Sequence, residues 1–332
     1  MSIFDVAMVG RLGPEALAAT GMGGMLVWAP MSIALGVRTA VQTVSSRRLG
    51  QNKEVDSGVS FHNGLIMAGI FSFPVTYIGW SYTSKIVPFF LKDPTTISLA
   101  IEYTSVVFVS LFFSVFSFVF VGFYTGVEKT KIHMTVTITS NLINLYLNAA
   151  LIYGSDGVES FFRDVVPSLS FLSAIWGWAS FPAMGVKGAA LATLIASAWM
   201  VVHYFLYLFS KDIKNRFGIF SFSYNHKMMQ RQLILALPMG IQECIIAFGW
   251  TFFLKVVGII GVVELATTHI VFTIMHASFM PAMGVGMACS TLVSKYMGEK
   301  KLNKSVSSIK ESVRIAEYGM GLLGFSFILF PS

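Results

Sequence analysis

The sequence predicts an all-α, polytopic membrane protein built as two helical bundles, the second incomplete. Three observations predict it. Only 12% of the 332 residues are charged and 55% are hydrophobic, against about 25% charged in an ordinary soluble domain. Apolar runs of roughly 18 residues or more recur along the chain, each long enough for a transmembrane helix. One stretch near the start returns in register far downstream, which marks an internal repeat. The runs lack the strict polar–apolar alternation of a membrane β-barrel.

The runs place helices at 16–45, 58–80, 97–126, 132–154, 186–209, 233–261, 265–293 and 313–330. Two stretches do not read as spans. Residues 210–232 are polar and basic, and read as a cytoplasmic linker. Residues 155–182, "SDGVESFFRDVVPSLSFLSAIWGWASFP", are long and aromatic. Trp176 and Trp178 suit the headgroup level, so this stretch is expected to lie at the outer interface. The domains expected are therefore an N-terminal lobe at 1–209, a linker at 210–232 and a partial C-terminal lobe at 233–332.

Loop charge sets the orientation. One alternating set of loops holds Arg47, Arg48, Lys53, Lys129, Lys131, Lys211, Lys214, Arg216, Lys227, Arg231, Lys295, Lys300, Lys301, Lys304, Lys310 and Arg314, sixteen basic residues. The opposite set holds Arg11, Lys85, Lys92, Arg163, Lys187 and Lys255, which is six. The richer set is cytoplasmic by the positive-inside rule, which puts the protein in the plasma (inner) membrane. The net charge of +7 is thus a topology signal, and nucleic acid is excluded as a partner. The two cysteines, Cys244 and Cys289, lie in apolar helices and form neither a disulfide framework nor a metal motif. No basic region followed by a short apolar one opens the chain, so no cleavable signal peptide is expected. "NKS" at Asn303 lies on the cytoplasmic side and is not a glycosylation acceptor.

The repeat pairs "VGRLGPEALAAT" at 9–20 with "VGIIGVVELATT" at 257–268, an offset of 248 residues. Gly10, Gly13, Leu17, Ala18 and Thr20 match Gly258, Gly261, Leu265, Ala266 and Thr268. The same offset pairs Gly36, Ala40, Thr43, Ser46 and Gly50 with Gly284, Ala288, Thr291, Ser294 and Gly298. Both copies run from outside to inside. Parallel repeats are related by an axis along the membrane normal, and transporters commonly place substrate between such halves. A full helix precedes the second copy, and only eight residues precede the first. The repeat therefore implies a chain incomplete at both ends.

Asp5 corresponds to Phe253, inside a helix. It lies five residues before Gly10, ~7 Å along the helix. An ionisable group at bilayer depth is a functional candidate by default. Its charge is costly without a proton or a small cation beside it. Thr137, Asn141, Asn144 and Asn148 recur at i, i+4, i+7 and i+11, one face of a helix. They are expected to line a cavity and to offer carbonyl oxygens to Na⁺ or hydrogen bonds to Asp5; interhelical packing is the alternative. Glu243 and Gln242 form a second polar point. His269, Thr273 and His276 share another face; they could tune a proton site, and packing histidines are the plainer reading. Ser110, Ser114 and Ser117 read as a small-residue packing stripe.

Taken together, "DVAMVGRLGPEALAATG", "GFYTGVEKTKIHM", "NLINLYLNAALIYG", "PAMGVKGAALAT", "LPMGIQE" and "GVVELATTHI" resemble the multidrug and toxic compound extrusion (MATE) family of cation-coupled antiporters over essentially the whole chain. The resemblance implies two lobes facing a central cavity. This chain would hold the end of the first helix, the second to sixth helices, and the seventh to ninth. The family's first-helix carboxylate matches Asp5, and its fifth-helix N-x-x-x-[DN] pattern matches Asn144 and Asn148. Its seventh-helix carboxylate matches Glu243, displaced by about one turn on roughly the same face. The coupling sites so implied are Asp5, Asn144, Asn148 and Glu243, with Na⁺ expected at Asp5, Asn144 and Asn148. Thr137, Asn141, Gln242, His269, Thr273 and His276 would line the cavity.

The function expected is export of amphipathic organic cations in exchange for Na⁺ or H⁺ by alternating access, by a monomer without a cofactor. A lipid-linked oligosaccharide flippase of related architecture is the nearest rival. It calls for a cationic cavity, and only Arg38 lies well inside a helix. A membrane-embedded enzyme would need a catalytic His/Asp or metal cluster, which no motif supplies.

Overall fold

Apolar runs that must leave no backbone polar group exposed to lipid form helices, and here those helices run past the lipid. The computed structural model describes residues 3–165, 173, 175–177, 180–260 and 262–329. Among them the chain is all-α, with helices α1 (Ile3–Gly10), α2 (Pro14–Gly50), α3 (Glu54–Phe90), α4 (Pro94–Gly126), α5 (Thr130–Val165), α6 (Gly185–Leu208), α7 (Lys211–Phe217), α8 (His226–Ile260), α9 (Val262–Gly298) and α10 (Leu302–Leu329). At 37 residues each, α2, α3 and α9 are about 55 Å long. The hydrocarbon layer is only ~30 Å thick. Their polar ends therefore extend the elements beyond the apolar runs that mark them in the sequence. Among the described residues, six helices are long and apolar enough to cross a membrane: α2, α3, α4, α5, α6 and α8.

Local chemistry sets the ends. Asp93 caps α4: its carboxylate accepts from the Thr96 backbone N–H at 2.8 Å and from the Thr96 hydroxyl at 2.7 Å. Pro94 follows, where a missing N–H costs nothing. Two stretches that do not read as spans nevertheless contain helix. The linker holds α7, because Ile213 and Phe217 are four apart and both buried while its charged residues point outward. The α8 helix begins at His226, before its apolar run. Residues 155–165 are also helical; α5 resumes after a break at Gly154, whose φ of 73° and ψ of 173° suit a residue without Cβ.

Close packing groups Met1–Ala34, Leu65–Phe120 and Lys131–Ser210 into one compact unit, and Leu35–Gly64, Val121–Thr130 and Lys211–Ser332 into another. In the first, Gly23 of α2 faces α4 so closely that a Cβ would stand 2.4 Å from Thr104 Oγ1 and 2.7 Å from the Tyr103 ring. The chain after α5 folds back on it. Ser155 N–H donates to Phe181 O at 3.2 Å and Met184 N–H to Leu151 O at 2.8 Å. Trp176 stacks on Tyr146 at 5.2 Å and donates its Nε1 hydrogen to the Tyr146 carbonyl at 3.0 Å. Trp178 lies outside the described residues.

In the second unit α2 crosses α9, and the contact is reciprocal. A Cβ on Gly50 would stand 2.0 Å from Lys295 O, and one on Gly298 2.3 Å from Arg47 O. Gly50 and Gly298 are repeat equivalents, and so are Arg47 and Lys295. A two-fold relation between the copies produces such a pair of contacts. Gln42 Nε2 donates to Thr291 Oγ1 at 2.8 Å, and Ser46 Oγ to Thr291 O at 2.5 Å. His62, buried in α3, holds the linker: its Nε2 meets Ile219 O at 2.6 Å, and Ser223 N–H donates to its Nδ1 at 3.2 Å.

Candidate cation site

The short helix α1 carries Asp5 into the first unit. Helix α1 ends at Gly10, and the chain turns through Gly13 at φ +119° into α2. Tyr153 of α5 ties α1 down by donating its hydroxyl to Met8 O at 2.6 Å. Asp5 is 6% exposed and Asn148 is fully enclosed. The Asn148 amide Nδ2 donates to Asp5 Oδ1, and also to Asn144 Oδ1 at 3.1 Å. Asn148 Oδ1 is buried with no hydrogen-bond partner among the described residues.

Asp5 borders a cavity of about 390 Å³, lined from α2 by Trp28, from α4 by Tyr103, Ser110 and Ser114, and from α5 by Asn141 and Asn144. Asp5 is the one carboxylate in its lining, and no lysine or arginine faces it among the described residues. One carboxylate and two amide carbonyls offer only oxygen to a ligand. That donor set suits a hard cation, and a single formal charge matches a monovalent one. Among the described residues no three His, Cys, Asp or Glu side chains cluster as a transition-metal site.

Of the other expected residues, Asn141 belongs to this cavity and donates Nδ2 to Thr137 O at 2.9 Å. Thr137 is half-buried with its hydroxyl 3.2 Å from His133 Nδ1, and His133 in turn meets the Tyr204 hydroxyl at 2.7 Å. Glu243, half-buried, and Gln242, exposed, lie on α8 in the second unit. His269, Thr273 and His276 belong to α9, with side chains outside the described residues. Sequence reading missed Trp28 and Tyr103, since an aromatic residue in an apolar helix carries no polarity signal. It also missed His133, which one more step of i−4 from Thr137 reaches. Ser110 and Ser114 border the cavity although their hydroxyls bond within α4, to Val107 O at 2.7 Å and Ser110 O at 3.0 Å.

The MatE family model matches residues 1–150 and 238–332. The chain belongs to the MatE family. MatE relatives are distant but extensive. The probable multidrug resistance protein NorM of Thermotoga maritima is 22% identical over 333 aligned positions, covering 98% of this chain and 65% of that protein. The multidrug resistance protein NorM of Burkholderia vietnamiensis is 24% identical over 309, covering 90% of this chain and 59% of that protein. The chain thus spans about three-fifths to two-thirds of these relatives. Among solved structures, a MOP superfamily transporter from Pyrococcus furiosus superposes with a TM-score of 0.83 at 21% identity, over 99% of this chain and 67% of that one. An outward-facing multidrug resistance MATE family transporter gives 0.82 at 22%, over 98% of this chain and 66% of that one. At such identities the structures establish the fold, and with the family they make this chain a multi-pass membrane protein.

Proposed function

We propose that the chain serves a secondary active exporter, in which a monovalent cation or proton at Asp5, Asn144 and Asn148 is exchanged for an amphipathic organic cation. The observation that carries this reading is the buried Asp5 carboxylate held by the Asn148 amide, beside a carbonyl oxygen with no donor. A cation or proton close to a buried carboxylate offsets its desolvation, and an unsatisfied buried oxygen such as Asn148 Oδ1 calls for a partner. Na⁺ would serve both at once; a proton on Asp5 would relieve the charge alone. The coupling ion changes the conformational equilibrium only through unequal affinity for the two access states. Residues 1–209 and 233–332 would act as the two lobes joined by the linker at 210–232, and Glu243 would add a second acidic point on α8. The names of the NorM relatives support a drug-like cargo, and Trp28 and Tyr103 give the cavity faces that attract organic cations. The absence of lysine and arginine from its described lining speaks against a phosphate-bearing cargo.

The test is Asp5→Asn in the full-length protein, a change that keeps size and an acceptor for Asn148 while removing the charge. Efflux of a cationic dye under an imposed Na⁺ or pH gradient should fall at least about tenfold, the scale on which deleting a paired charge acts, with folding retained. Wild-type efflux in the variant would overturn the coupling role.

A further inference from the structure

The second unit holds a cavity of its own. It measures about 490 Å³ and is bordered by Arg47 and Arg48 at the end of α2 and by Arg231 in the second turn of α8. Arg48 donates to Gln51 at 2.9 Å and stands 3.7 Å from the Asp56 carboxylate. Arg47 and Arg231 have no carboxylate partner among the described residues. The repeat makes the contrast sharper. Lys295, the equivalent of Arg47, is neutralised by Glu128, both of whose carboxylate oxygens it reaches at 2.8 Å. Three guanidinium groups therefore share one neighbouring carboxylate.

Apolar residues also border the cavity, and they continue as a track along α8. Ile234 borders the cavity. From it Ile241, Ile245 and Phe252 follow along α8, and the four are 69%, 54%, 65% and 69% exposed. Ile234 and Phe252 are eighteen residues apart, five full turns, so the track stays on one face for ~27 Å. The loop charges place the arginine end at the cytoplasmic headgroup level, where anionic lipids gather basic residues.

We infer that this cleft binds an anionic phospholipid of the cytoplasmic leaflet, its phosphate between Arg47, Arg48 and Arg231 and an acyl chain on the Ile234–Phe252 track. A planar guanidinium takes phosphate oxygens two at a time. A free phosphate would use the arginines and leave the track bare; the combined polarity fits a molecule with both parts. This inference does not rest on the cation-coupled reading of Asp5.

The experiment is native mass spectrometry of the full-length protein in detergent, with phosphatidylglycerol and phosphatidylcholine of identical acyl chains, and glycerol phosphate as a soluble competitor. The wild type should retain phosphatidylglycerol preferentially. Arg47→Gln/Arg231→Gln should lower its affinity by roughly ten- to thirtyfold, to the phosphatidylcholine level. Arg47→Lys/Arg231→Lys should keep most of the preference, which separates lost charge from lost folding. Lys92→Gln, on the opposite loops, should change nothing. No preference in the wild type would overturn the proposal, as when a carboxylate elsewhere in the full-length protein fills the cleft. An unaffected Gln variant would overturn it too. Displacement of lipid by equimolar glycerol phosphate would identify a free-phosphate site and overturn the lipid assignment.

Discussion

The two copies of the repeat agree in backbone and disagree in chemistry. Where α2 crosses α9, Gly50 and Gly298 each lie against the other helix's main chain, at positions related by the repeat. At the equivalent positions Asp5 and Phe253 the copies part. Asp5 is buried and bonded to Asn148, whereas Phe253 is 43% exposed and meets Trp250 edge-on. Contacts without a side chain survive divergence because only glycine fits them. Side chains at a ligand site are free to differ, and one charge suffices to bind one ion. The comparison teaches that the repeat preserves the frame on which helices pack, while the buried carboxylate–amide pair belongs to one copy.

The largest expected effect tests the shared part. Gly50→Ala and Gly298→Ala each put a Cβ against backbone that has no room to yield, and overpacking of this kind costs roughly 1–3 kcal/mol. Gly21→Ala is the control, since its Cβ meets nothing within 4 Å and alanine is the better helix former by about 1 kcal/mol. Heating in detergent, followed by the monodisperse fraction that remains, reads the difference. Similar losses at Gly50 and Gly298 would confirm the reciprocity. A loss at only one of them would break it.

The divergent part is tested next. Asn148→Leu removes the amide that donates to Asp5 and leaves the carboxylate short of a buried partner. That should cost about 1–3 kcal/mol in stability and abolish Na⁺-dependent protection against heating. Phe253→Leu, at the equivalent of Asp5 itself, should cost under ~1.5 kcal/mol and leave ion protection intact. Equal effects of the two substitutions would mean that the copies do not differ in function.

Much of this was legible in the amino acids, for identifiable reasons. Eight of the ten described helices, and their order, followed from apolar runs, because lipid admits no unsatisfied backbone. The α2–α9 crossing was foreshadowed by glycines matching at one offset, though not the reciprocal way in which they touch. The juxtaposition of Asp5 with Asn144 and Asn148 was suggested by a carboxylate at depth and a polar helix face. The aromatic walls at Trp28 and Tyr103 left no trace, since an aromatic residue is ordinary in a span. The helix in the linker was hidden too. Its apolar pair, Ile213 and Phe217, is too short a pattern to stand out within "KDIKNRF", and it folds because a buried surface is there to receive it.

The smallest effect concerns that linker, the part that neither copy of the repeat supplies. Lys129, in the turn between α4 and α5, reaches Asp212 of α7 at 2.5 Å. The bond from Lys129 holds the Asp212 carboxyl below its ordinary 3.8, helped by the nearby positive charges of Lys129 and Arg216 and opposed by partial burial. A carboxyl lowered in the folded state contributes stability above its unfolded value, and loses that contribution as pH falls through the folded one. Both groups are largely solvated, so the effect is modest. Hydrogen exchange of the 211–217 amides should be faster in Asp212→Asn than in wild type at neutral pH. The gap should close as pH falls below the ordinary carboxylate range, where the wild-type carboxyl takes up its proton. A gap that persists unchanged into acid would show that Asp212 acts on α7 through packing instead of charge.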